Sequence, residues 1–163
     1  MEIKRIFDIL NTYNVKYLIC GGLAVNIYGI PRMTADIDLL IDFEETNILN
    51  FETAVKHLLF QSVIPVSINS FIKKEDRLKM VNEKNLIAYS YFNSLAGYMN
   101  LDVLLDTPIE FAILWNSKTE RILGETTIYL VSIDHLIELK KYANRIQDQQ
   151  DVLLLSKLIK NGH

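Results

Sequence analysis

Ile3, Ile6, Phe7 and Leu10 recur at i, i+3, i+4 and i+7, which predicts an amphipathic helix at the start of the chain. Lys16 to Cys20 (KYLIC) is a short apolar run ended by Gly21-Gly22, the pattern of a buried strand. Leu23 to Tyr28 predicts a short helix, closed by Gly29 and followed by Pro31. Asp36 to Ile41 (DIDLLI) reads as a second strand. Ile48, Phe51, Val55 and Leu58 then mark a helix of about four turns. In the middle, Gln61 to Ile68 has room for a strand, and the polar stretch Asn69 to Lys84 predicts a helix. Leu86 to Phe92 (LIAYSYF) and Tyr98 to Leu105 (YMNLDVLL) predict two strands joined by a turn over Asn93 to Gly97.

Thr107-Pro108-Ile109-Glu110 has the form of a helix start. Threonine can cap, proline suits the first helical position, and glutamate completes a capping box. Arg121 to Gly124 and Thr126 to Val131 predict two short strands. Ser132 then opens a helix to about Asn144, and a last helix follows Asp148 as its cap, with Asp151 in its first turn. The order predicts an α+β fold, a small mixed β-sheet flanked by helices with a C-terminal helical segment. At 163 residues we expect one domain, with a sheet core over 1–106 and a mostly helical part over 107–163.

Composition narrows the class. Half the residues are hydrophobic and 23% are charged, as in ordinary globular proteins. No apolar run reaches the roughly 18 residues of a membrane-spanning helix. The first residues mix charges into apolar positions, unlike a signal peptide. A single cysteine, Cys20, excludes an internal disulfide, so a cytoplasmic location is expected. A net charge of −3 argues against a broadly basic surface that coats nucleic acid. The densest basic cluster, Lys73, Lys74, Arg77 and Lys79, is diluted by Glu75, Asp76 and Glu83 and reads first as a solvated helix face. His57, His135 and His163 show no zinc spacing.

The candidate chemistry lies between Cys20 and Leu40. Two glycines between a strand and a helix let the backbone approach a phosphate, and the helix start favours negative charge. The same pair also serves many tight turns. Asp36 and Asp38 are more specific. Two apart on a strand, they share a face roughly 6–7 Å apart along the chain. Carboxylates so placed can hold a pair of Mg²⁺ ions about 3.5–4 Å apart. Ile37, Leu39, Leu40 and Ile41 make the strand apolar on both faces, and unpaired acids there are costly unless something offsets the charge.

Gly21-Gly22, thirteen intervening residues and Asp36-Ile37-Asp38 together resemble the signature of the DNA polymerase β-type nucleotidyltransferase superfamily. The fuller string Gly-Gly-Leu-Ala-x(3)-Tyr-Gly-x-Pro-Arg-x-Thr-x-Asp-Ile-Asp-Leu-Leu resembles the AbiEii and MenT-like branch, which includes toxins of toxin–antitoxin systems. It is also similar to the opening of some aminoglycoside nucleotidyltransferases. The close match covers about residues 17 to 42, and a fainter echo runs through the last forty. The resemblance implies a minimal nucleotidyltransferase fold. It also implies an in-line attack on the α-phosphate of an NTP, with Mg²⁺ or Mn²⁺ as cofactor.

Residue by residue, the resemblance implies that Gly21 and Gly22 hold the triphosphate and that Asp36 and Asp38 bind both metals. Members use a third acid on a neighbouring strand. Asp102, between Leu101 and Val103 in an apolar run, fits that role, whereas Asp106 at the strand's end is better explained by the turn. Arg32 and Thr34 match the Arg-x-Thr before the acidic pair. Arginine suits a phosphate, and an exposed loop arginine is the alternative. Periodicity puts Lys140 near the middle of the apolar arc of Ile133, Leu136, Ile137, Leu139 and Ala143, with Lys141 and Arg145 outside it. An inward lysine needs a carboxylate or a phosphate, or it packs its stem and reaches solvent. The similarity of Lys140, Arg145, Asp148 and Asp151 to the AbiEii C-terminal pattern puts Lys140 among the candidate nucleotide-binding residues.

The expected acceptors within that branch are tRNA 3′ ends or protein hydroxyls, with a cognate antitoxin as partner and no membrane. The alternatives are a small-molecule, aminoglycoside-like nucleotidyltransferase and a non-catalytic nucleotide-binding relative.

Overall fold

The computed structural model describes residues 2–93 and 99–161. The opening helix is α1 (Glu2–Thr12), and it buries Ile6, Phe7 and Leu10, the stripe its periodicity marks. Asn14, at φ 53°, takes the left-handed conformation and turns the chain into β1 (Tyr17–Ile19), which is buried throughout. Next come α2 (Gly21–Ile27), β2 (Asp36–Ile41) and α3 (Glu45–His57). Buried Asn47 pins the start of α3 to the strands. Its amide nitrogen donates to the carbonyls of Lys16 and Asp42, and its oxygen accepts from the Lys16 N–H at 2.7 Å.

The middle departs from expectation. Only Gln61–Ser62 pairs as β3, followed by a short 3-10 turn at Ile68–Phe71 and α4 (Lys74–Lys84). Asn85, left-handed at φ 52°, ends α4, as Asn144 at φ 50° ends the later helix Ile133–Ala143. Strands β4 (Ala88–Phe92) and β5 (Asn100–Leu104) follow; residues 94–98 of the expected turn and strand start lie outside the described residues, as does His163. Then come α5 (Phe111–Asn116), β6 (Thr119–Leu123), β7 (Thr126–Leu130), α6 (Ile133–Ala143) and α7 (Ile146–Lys160).

Two helix starts are corrected. The helix expected at Thr107 begins at Phe111 behind Glu110, and the Thr107 hydroxyl instead donates to the Ile109 carbonyl at 2.7 Å. The last helix is capped at Arg145, not Asp148. Asp148 is its third residue and reaches back to the Arg145 N–H at 3.3 Å, while Asp151 falls in the second turn.

Among the described residues one seven-stranded mixed sheet runs β3-β4-β5-β2-β1-β7-β6. β2 pairs parallel with β5 and β1 parallel with β7, and the other neighbours are antiparallel. Side chains two apart on a strand share a face, so the register of β2 against β5 decides which polar groups meet. No helix among the described residues is long and apolar enough to cross a membrane.

Candidate active site

Asp38 stands opposite Asp102 across the β2–β5 pairing, and Asp36 opposite Asn100. Parallel strands in register place Asp36, Asp38 and Asp102 on one face. This is the arrangement expected of a third acid on a neighbouring strand. Sequence reasoning missed Ser90, the partner of Asp102 on β4, whose hydroxyl hydrogen-bonds the Asp102 carboxylate. Its signal was a lone hydroxyl between two tyrosines in an apolar strand. Asp102 Oδ1 is buried and has no hydrogen-bond partner.

The glycine turn meets these acids at close range. Gly21 opens α2 at φ +58°, and a Cβ built there would fall 1.7 Å from Asp38 Oδ2. A Cβ on Gly22 would come within 2.8 Å of Thr34 Oγ1 and 3.1 Å of Arg32 Nε. The glycines therefore belong to the helix itself, not to a linker before it. They admit the Asp38 carboxylate on one side and the Arg32 and Thr34 side chains on the other. The Gly22 N–H hydrogen-bonds Asp38. The Thr34 hydroxyl donates to the Asp36 carbonyl at 3.1 Å and so steadies the start of β2.

Charge is crowded on this face. Burial, then the nearby Asp102 charge, raises the Asp38 pKa above the usual carboxylate value, and the Gly22 hydrogen bond opposes that shift. Asp102 is raised chiefly by burial, against the Ser90 hydrogen bond and with a contribution from Asp36. Two desolvated like charges call for a cation between them. Among the described residues no three acid, histidine or cysteine side chains converge as a ready metal cage. Magnesium does not require one, because it keeps waters and substrate phosphates in its shell and needs one or two carboxylates. The unpartnered Asp102 oxygen and the shared face of the three acids fit such an ion.

A cleft of about 740 Å³ opens over Gly21, Asp38 and Asp102. Its walls are mainly apolar, from Val81, Ile87, Pro108, Leu139 and Tyr142, with Asp106 and Arg145 as further charged groups. Of the other predicted site residues, Arg32 and Thr34 lie against Gly22.

Lys140 finds carboxylate partners. It is buried as its place in the apolar arc predicts, at 4% exposure, but its ammonium is taken by carboxylates. Lys140 Nζ lies 3.0 Å from Asp148 and 2.8 Å from Asp151, so it pairs with two carboxylates of α7. Arg32 also binds Asp151, and Arg145 Nε binds Asp148 at 2.8 Å. Three cations thus enclose two carboxylates that are 1% and 3% exposed. Arg32 is not an exposed loop arginine, since its side chain is largely buried against Asp151.

Comparison with protein-family models finds no match, and neither does comparison with curated proteins. Solved structures do match. ANT(2″)-Ia, in complex with adenylyl-2″-tobramycin, aligns over 96% of this chain and 87% of its own, at 14% identity and a TM-score of 0.61. The lincosamide antibiotic adenylyltransferase LnuA, with lincomycin bound, aligns over 96% of both chains, at 15% identity and a TM-score of 0.59. The solution structure of the antibiotic-resistance factor ANT(2″)-Ia aligns over 97% of this chain and 82% of that one, at 15% identity and 0.61. Along almost its whole length, the chain has the fold of these nucleotidyltransferases.

Proposed function

We propose that this protein is an enzyme that transfers a nucleoside monophosphate from an NTP to a hydroxyl of a small organic acceptor. The observation that carries the proposal is the register that puts Asp36, Asp38 and Asp102 on one face beside the Gly21 turn. The acceptor oxygen bonds to the α-phosphorus, the bond from that phosphorus to the bridging oxygen breaks, and pyrophosphate leaves with the electron pair. Asp36, Asp38 and Asp102 would hold Mg²⁺ or Mn²⁺. When bound, the metal would neutralise charge on the phosphates and lower the pKa of the attacking hydroxyl. Asp102 would also help take the acceptor's proton as that hydroxyl attacks. Gly21 and Gly22 leave room for the triphosphate, and Arg32 supplies positive charge beside it.

A small acceptor is favoured by the cleft. About 740 Å³ with apolar walls falls within the size range of small-molecule sites. The antibiotic acceptors of the structural neighbours point the same way. A second reading rests on the Gly21-to-Leu40 string, which resembles AbiEii and MenT-like toxins. In that case the acceptor is a tRNA 3′ end or a protein hydroxyl, and an antitoxin is the partner.

The test is to incubate the protein with each α-labelled NTP, Mg²⁺ or Mn²⁺, and either hydroxylated antibiotics or cell lysate. Label in a low-mass product supports the first reading, and label in RNA or protein supports the second. No labelling, or equal labelling by Asp36→Ala/Asp38→Ala, would falsify both.

Gly21→Ala is a sharper probe of the turn. A methyl at φ +58° is strained by roughly 1–2 kcal/mol and must also push the Asp38 carboxylate aside. We expect a lower Tm together with a loss of transfer of about a hundredfold, since small misplacements of reacting groups cost that much. Gly29→Ala, at φ +98° with nothing nearby, should lower the Tm and leave kcat unchanged.

A further inference from the structure

Asp151 is 3% exposed and receives two cations, Lys140 at 2.8 Å and Nη1 of Arg32. In the second turn of α7 it lies beyond the first turn, where the helix dipole favours an acid, so the dipole does not account for its burial. Arg32 arrives from the loop between α2 and β2. Its backbone N–H donates to Asn26 Oδ1 at 2.8 Å, and its side chain crosses the glycine turn. A Cβ on Gly22 would lie 3.1 Å from Arg32 Nε, and that Nε is buried without a partner. The guanidinium is therefore held by its backbone at one end and by Asp151 at the other, next to the turn that would take the phosphates.

We infer that Asp151 is a positioning residue that orients Arg32 toward the triphosphate at Gly21-Gly22, an inference that rests on the nucleotidyl-transfer reading above. A planar guanidinium fixed at one nitrogen presents its remaining N–H groups in a set plane, which suits a phosphate. Lys140 makes the arrangement workable. It neutralises Asp151, which otherwise would bring bare negative charge close to an anionic ligand. The bland alternative is that Asp151 only balances buried Lys140 and affects folding alone.

Binding of ATP with Mg²⁺, followed by titration calorimetry, separates the two. Wild type is compared with Asp151→Asn, Arg32→Ala and the double variant, each checked by thermal unfolding. We expect each single substitution to weaken ATP binding by about tenfold, the scale of a charge-assisted phosphate contact. The double variant should bind no more weakly than Arg32→Ala alone. A merely structural Asp151 lowers Tm in both backgrounds and leaves ATP affinity unchanged. Unchanged affinity in Asp151→Asn, or an equal loss on top of Arg32→Ala, overturns the positioning role. Should Asp151→Asn fail to fold, Asp151→Glu keeps the charge, moves the carboxylate, and is read by the same criteria. Failure of the wild-type protein to bind any of the four NTPs overturns the functional reading and the positioning role together, whereas undiminished binding by the variant overturns the latter alone.

Discussion

Asp38→Asn is expected to lower kcat for nucleotidyl transfer by about a thousandfold or more, because metal stabilisation of developing charge is worth several kcal/mol. Asparagine keeps the shape of the side chain and can still accept from the Gly22 N–H. It removes only the negative charge. The same substitution should raise the Tm. In the folded protein burial and Asp102 already disfavour the charged form of Asp38, so a neutral group there relieves the fold. Steady-state assays with thermal unfolding of the same preparation check both parts. Full activity in a variant of lowered Tm would sink the assignment of Asp38 as a metal ligand. Opposite movement of activity and stability is the signature of a charge kept for chemistry.

Lys140→Met should produce the largest loss of stability, about 3 kcal/mol, near the low end for breaking a buried ion pair. Arg145 still serves Asp148 and Arg32 still serves Asp151, which limits the damage. For a chain of this length that is a fall in Tm of about 6–12 °C. Lys141→Met, on the exposed side of the same helix, should stay within about 0.5 kcal/mol of wild type. The network also has an acid limb. Burial alone would raise the Asp148 pKa, but hydrogen bonds and charge from Arg145 and Lys140 hold it below the usual value. A depressed carboxylate stabilises the fold above its unfolded pKa, roughly 3.9, and loses that contribution as pH falls through the lower folded value. Denaturant unfolding from pH 6 downward should show this loss in wild type and a flatter profile in Asp148→Asn.

Local patterns in the sequence carried much of this. The stripe of Ile6, Phe7 and Leu10, the apolar runs of β1 and β2 and the inward Lys140 all follow from spacing along one element. The choice of Asp102 over Asp106 also came from its apolar neighbours. What spacing does not encode is pairing between distant segments. That Asp148 and Asp151 face Lys140 depends on how α7 folds back on α6. That Asp151 reaches Arg32 depends on a contact across 119 positions. The start of the last helix was misread because Asp is a strong cap by preference, and here its carboxylate does the reciprocal half of a capping box behind an arginine. Thr107-Pro108 misled in a similar way, since a proline that suits the first turn of a helix equally suits the loop ahead of one. The role of Gly21 was legible as backbone freedom, while the carboxylate that fills the freed space comes from β2, the strand paired directly with β1.

The β2–β5 pairing has a kinetic consequence. The acids it aligns come from segments separated by α3, β3, α4 and β4, and the strands run parallel, so they meet only after a long loop has closed. Antiparallel contacts such as β6 with β7 form between neighbours and can precede it. The reactive constellation is thus assembled by one of the slowest contacts the chain makes. Partly folded molecules would carry most of their secondary structure and none of their chemistry, and recovery of activity on refolding would report when the centre of the sheet has closed.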